Sequence, residues 1–175
     1  YKEGGLAVLY GNLAPQGAII KQAAASQHLL SHTGRAVVFS NMADLAARID
    51  SPDLDVSQDD ILVLRQIGPK GAPGMPEAGL IPIPKKLAKQ GVKDMVRISD
   101  GRMSGTAAGT IILHVAPESA VGGPLSLVRT GDQIQLDVAT RQLNMLVSDQ
   151  ELERRRAEQP AASSAELRGY EKLFY

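Results

Sequence analysis

The stretch ILVL at positions 61–64, followed at once by RQIGPKGAPGMPE (65–77), decides the fold. A continuous apolar run of four residues reads as a strand buried on both faces, the kind that lies centrally in a sheet. Gly68 to Pro84 then holds five prolines and four glycines in seventeen residues, a density no regular element survives. Its three Gly-X-Y triplets mimic collagen but are too few for a triple helix. A central strand therefore feeds a long irregular loop, and inside a compact domain such loops usually carry function.

Working outward, Lys85 to Gln90 reads as a short helix stopped by Gly91, and Asp94 to Ile98 and Thr110 to Val115 read as strands. Ile134–Val138 and Leu143–Val147 alternate in polarity and are four residues apart, which predicts a hairpin. Ser148 and Glu151 make a capping box that opens a charged helix from Asp149 to Glu158. Upstream, Asp50 to Asp60 is an acidic loop. Asn41 to Ile49 reads as a helix capped by Asn41, with Asp44 in its first turn and Leu45 and Ile49 on one face. Arg35–Phe39 and Leu6–Tyr10 read as strands. Ala18 to Leu30 reads as a helix with Ile19, Ala23 and Leu30 on one side. Strands outnumber helices, so the expected architecture is an α/β domain with a mixed, barrel-like β-sheet flanked by helices.

Composition bounds the function. The chain of 175 residues suits one domain, with 43% hydrophobic residues, enough for a core, and only 3% aromatics, so that core must be aliphatic. Nineteen basic and nineteen acidic side chains cancel, which argues against nucleic acid as a partner. The absence of cysteine excludes a disulfide scaffold and a thiolate metal site within the chain. No apolar run approaches the ~18 residues of a membrane span, and no secretory leader is recognisable, so a cytoplasmic location is expected. The opening Tyr1-Lys2-Glu3 suggests a fragment lacking an N-terminal part. Within it, residues 4–158 form the expected core, 159–168 a polar linker and 169–175 a tail that docks.

Two loops are candidate sites. Gly68 to Glu77 reads either as a rigid wall presenting the Glu77 carboxylate or as a structural turn with an exposed glutamate. Ser99-Asp100-Gly101-Arg102-Met103-Ser104-Gly105-Thr106 follows a strand, where α/β folds often place a site. Ser104 reads as a nucleophile, a base, or one hydroxyl of a self-satisfied turn. A Ser104/His114/Asp100 triad can be written down, but adjacency in sequence does not support it. His114, inside an apolar strand, reads as a core histidine before a general base. His28 and His32 have i,i+4 spacing without a nearby third ligand and read as surface residues. Arg154–Arg156, flanked by Glu151, Glu153 and Glu158, reads as a solvated helix face.

Taken in order, GNLAPQG (11–17) with Lys21, GPKGAPGMPE (68–77), SDGRMSGT (99–106), HVAPE (114–118), GGPL (122–125) and VSDQELERRR (147–156) resemble the C-terminal domain of the dihydroxy-acid and sugar-acid dehydratases. The likeness covers residues 4 to 158. RAVVFSNMADLAARIDSPDLDV (35–56) and LHVAPES (113–119) are more similar to the sugar-acid branch, arabinonate or xylonate dehydratases, than to the branched-chain amino-acid branch. The resemblance implies a swivelling domain that closes over a cofactor site. It implies a hydro-lyase removing water from a 2,3-dihydroxy sugar acid to give a 2-keto-3-deoxy acid, with an iron–sulfur cluster and Mg²⁺. It matches Glu77 to a magnesium ligand, Ser104 to the base that takes the C2 proton, and Thr106 to a neighbouring hydroxyl. The cluster's cysteines belong to the N-terminal domain of the same polypeptide in the family. This chain, which has none, is expected to be inactive alone and to act within a homo-oligomer. The alternatives are a dihydroxy-acid dehydratase of branched-chain amino-acid biosynthesis and a non-catalytic binding domain that keeps the fold.

Overall fold

A computed structural model describes residues 4–159 and 168–174. Eight strands make a closed barrel: β1 (Ala7–Gly11), β2 (Ala14–Ile20), β3 (Ser31–Phe39), β4 (Ile61–Leu64), β5 (Arg97–Ser99), β6 (Ile111–Ala116), β7 (Gln133–Asp137) and β8 (Gln142–Met145). Around the wall they run β1-β2-β6-β5-β4-β3-β7-β8. The neighbours β3, β4, β5 and β6 are parallel, and β2, β7 and β8 enter antiparallel to β6, β3 and β7 respectively. The expected mixed, barrel-like α/β architecture is what forms.

The apolar run of β4 now has its reason. Ile61 and Val63 point into the barrel, while Leu62 and Leu64 point outward into a second cluster. The same split in β3 sends Ala36 and Val38 inward and Val37 and Phe39 outward. The outer cluster is closed by Leu45 of helix α1 (Met42–Arg48), Leu87 of helix α2 (Lys85–Lys89), and Ile67 and Ile81 of the long loop. Each such side chain stabilises the fold by about 1.5–3 kcal/mol through burial. Asn41 caps α1 by accepting from the Asp44 amide (3.0 Å), and Ser148 caps α3 (Asp149–Ala157) by accepting from the Glu151 amide (3.3 Å). The outer face of β1 and β2 is different: Val8, Tyr10 and Ile19 remain exposed there.

The barrel closes through one short seam. Tyr10 of β1 pairs with Gln142 of β8, its amide donating to the Arg141 carbonyl (2.9 Å). The Asn12 side chain extends the ladder, accepting from the Met145 amide (2.7 Å) and donating to its carbonyl (2.8 Å).

Two expected elements differ. Ala18 to Leu30 is not a helix: its first residues belong to β2, and two 3₁₀ turns follow at Gln22–Ala24 and Gln27–Leu29. Pairing of Ala18, Ile19 and Ile20 with β1 overrides the helical spacing. The strand expected from Asp94 starts at Arg97, because the Asp94 carboxylate captures the Met95 amide (3.0 Å) and those of its surroundings. Of the linker expected at 159–168, residues 160–167 lie outside the described residues. The tail forms a 3₁₀ turn at Gly169–Phe174, where Tyr170 sits 3.5 Å from where a Gly74 side chain would begin. No helix among the described residues is long and apolar enough to cross a membrane.

Candidate functional site

Because β5 and β6 are parallel neighbours, residues 100–110 must return along the wall from the end of one to the start of the other. Backbone carbonyls and amides pin that crossover at four points. The His114 amide donates to the Gly101 carbonyl (3.1 Å), the Gly79 amide to the Arg102 carbonyl (2.7 Å), and the Gly109 amide to Ala24 (2.9 Å). Lys21 Nζ, just past β2, donates to the Gly105 carbonyl (2.7 Å). Gly79 is required by this approach, since a Cβ there would lie 2.7 Å from the Arg102 carbonyl oxygen.

Two carboxylates hold the loops in place. Buried Asp100 accepts from the Ile67 amide (3.1 Å), the Ser119 amide (2.8 Å) and the Ser119 hydroxyl, tying the ends of β4, β5 and β6 together. Glu118 accepts from the amides of Lys70 (2.9 Å) and Gly71 (3.1 Å). Gly68 lies so close to Glu118 that a side chain there would displace it.

On this frame the two candidate loops lie side by side. Arg102 joins them: Nη1 meets Glu77 Oε1 at 2.7 Å and Nε donates to the Met75 carbonyl at 2.7 Å. Both partners are about half exposed, so the pair contributes little stability and mainly sets direction. Ser104 Oγ and Thr106 Oγ1 are 3.1 Å apart. The cluster thus presents a carboxylate, a guanidinium, two coupled hydroxyls and, behind Gly105, an ammonium group.

The triad does not assemble. Asp100 is spent on backbone amides and Ser119, Ser104 is bonded to Thr106, and the His114 ring has no hydrogen-bond partner among the described residues. His114 is also exposed, not a core histidine. His28 is exposed and His32 meets the Asp59 carbonyl (2.8 Å), as expected of surface residues. The basic run is mixed: Arg154 pairs outward with Glu151 and Glu158 (both 2.7 Å), but Arg155 is buried on Asp132 (2.9 Å) and the Leu127 carbonyl (3.0 Å). Arg102 and Lys21 carried no role in the sequence reading, since their partners are carbonyls and carboxylates set by tertiary approach.

Among the described residues no group of three His, Cys, Asp or Glu converges as a complete metal site. Glu77 fits one hard oxygen donor to a magnesium ion completed by other ligands. Nothing in the chain fits an iron–sulfur cluster, which needs thiolates.

A model of the family described as dihydroxy-acid/6-phosphogluconate dehydratase C-terminal matches residues 1–175. The chain is 56% identical over 155 residues to an L-arabinonate dehydratase of Rhizobium leguminosarum bv. trifolii, covering 89% of this chain and 27% of that protein. It is 60% identical over 152 residues to a 6-deoxy-6-sulfo-D-gluconate dehydratase of Pseudomonas putida, covering 87% and 26%. A dihydroxy-acid dehydratase of Syntrophobacter fumaroxidans is 42% identical over 170 residues, covering 97% and 30%. The chain therefore spans less than a third of the length of these relatives.

Proposed function

This chain belongs to the dihydroxy-acid/6-phosphogluconate dehydratase C-terminal family, and on that premise we propose that it is the C-terminal domain of a sugar-acid dehydratase. One observation carries the choice of branch: identity is 55–60% to relatives named for sugar acids and 42–46% to those named dihydroxy-acid dehydratases. The reaction is loss of water from a 2,3-dihydroxy sugar acid, giving a 2-keto-3-deoxy acid. The rest of the polypeptide supplies the cluster thiolates, and the exposed Val8, Tyr10 and Ile19 offer it apolar surface.

Ser104 is the base. Its oxygen takes the proton from C2, the C2–H electron pair becomes the C2=C3 bond, and hydroxide leaves C3. The resulting enol tautomerises to the keto acid. A serine hydroxyl is too weak an acid for this unaided. Thr106, 3.1 Å away, can donate to the Ser104 oxygen, and the Lys21 ammonium at the adjacent Gly105 carbonyl favours negative charge there. Glu77, aimed by Arg102, would hold a magnesium ion, whose Lewis acidity would lower the hydroxyl pKa and offset charge on the substrate carboxylate.

The test compares the complete polypeptide with the 175-residue chain on L-arabinonate and on 2,3-dihydroxyisovalerate, measuring 2-keto acid formed. Turnover of the sugar acid by the complete polypeptide only is expected. Preference for dihydroxyisovalerate would favour the branched-chain alternative, and turnover by the short chain would refute the shared site.

A further inference from the structure

β6 contains a defect that the elimination chemistry leaves unexplained. Ile112 points into the barrel and Leu113 outward, so alternation would send His114 inward. Pairing with β2 breaks that alternation. Ile19 faces Leu113 and Gly17 faces Ala116, so β2 advances two residues where β6 advances three. The extra residue is a bulge, with His114 in the left-handed region at φ 53°, and Val115 takes the inward place. The ring is thereby turned out into a cleft of about 370 Å³ lined by Gln16, Met75, Pro117, Glu118 and Val121. Met75, two residues before Glu77, is a second non-glycine residue at positive φ, 44°. Strained backbone of this sort clusters where a ligand is clamped.

The cleft's polar capacity is specific. Glu118 and Asp100 are committed to backbone amides. The side chains of His114 and Gln16 have no hydrogen-bond partner among the described residues. Among the described residues no lysine or arginine lines the cleft, so it suits neutral hydroxyls better than a second anion. Imidazole and carboxamide each present a donor and an acceptor, as a hydroxyl does, and Met75 and Val121 offer apolar surface to its C–H face.

We propose that the His114–Gln16 cleft reads the hydroxyl groups beyond C3 of a polyhydroxy acid, making these two residues specificity determinants. The inference rests on the sugar-acid reading above. Its test uses the complete enzyme with His114→Gly, Gln16→Leu and His114→Gln. Glycine tolerates φ 53°, so His114→Gly removes the ring and keeps the bulge, with no loss of melting temperature expected. Either His114→Gly or Gln16→Leu should raise KM for L-arabinonate about tenfold, the loss of one neutral hydrogen bond, with kcat changed less. The inhibition constant of 2,3-dihydroxyisovalerate, which carries only methyl groups beyond C3, should stay within about twofold. His114→Gln should recover part of the loss. Unchanged KM for L-arabinonate, or equal loss for both compounds, would overturn the cleft assignment alone. A wild-type enzyme that turns over no sugar acid would overturn the functional reading, and the cleft's polyol assignment with it.

Discussion

Arg102 ties the two candidate loops to each other with one side chain. Its Nε and Nη1 hold the Met75 carbonyl and the Glu77 carboxylate at once, fixing the glutamate over the hydroxyl loop. The residues on either side of it are open to direct trial in the complete enzyme. Ser104→Ala should lower kcat by ~10²–10⁴ with KM little changed, as removal of a general base does. Stability should move by no more than about 1 kcal/mol, since the hydroxyl's partner is another surface hydroxyl. A variant retaining more than about a tenth of wild-type kcat would be too active for the assignment. Glu77→Gln should fail differently, with a defect partly restored by raising magnesium in a titration, which the Ser104→Ala defect should not show.

Between strands, Asp100 is the knot. Asp100→Ala would leave the Ile67 and Ser119 amides without their acceptor in a buried setting, at about 1–3 kcal/mol for each. A lowered urea midpoint with loss of order in both flanking loops is expected, and an unchanged midpoint would deny Asp100 its structural role. Elements whose signals are local were legible in advance. The Asn41 and Ser148 caps, the β7–β8 hairpin and the doubly buried β4 all declare themselves within a few residues. β2 did not, because its partners lie at 7–11 and 111–116 and outweigh a chance helical spacing of Ile19, Ala23 and Leu30. The candidate site divides the same way. Glu77, Ser104 and Thr106 stand in motifs, whereas the grip of Arg102, the reach of Lys21 and the outward turn of His114 depend on how distant segments register.

For the molecule as a whole, acid should be the weakness. Burial opposes ionisation of Asp94, yet hydrogen bonds from Thr110 and Ser26 and the Arg97 charge hold its carboxyl below the ordinary 3.8. Arg154 and Arg155 hold the partly exposed Glu151 at about 2, against an ordinary 4.5. A depressed folded pKa means stability that is complete above the ordinary value and is lost as pH falls through the depressed one. Melting temperature should therefore hold near neutrality and decline from about pH 4 downward. Asp94→Asn should lower it at pH 7 and flatten that decline, and an equally steep decline in the variant would remove Asp94 as its cause. The seam between β1 and β8 carries a further consequence, one of timing. Asn12 and Asn144, which bond across it, are 132 positions apart in the chain. During synthesis the first strand must wait, its barrel-facing Ala7 and Leu9 without their final neighbours, until the eighth has left the ribosome. A nascent chain stalled before position 142 holds an unclosed sheet with two raw edges, and those edges are open to pairing with other chains until β8 arrives.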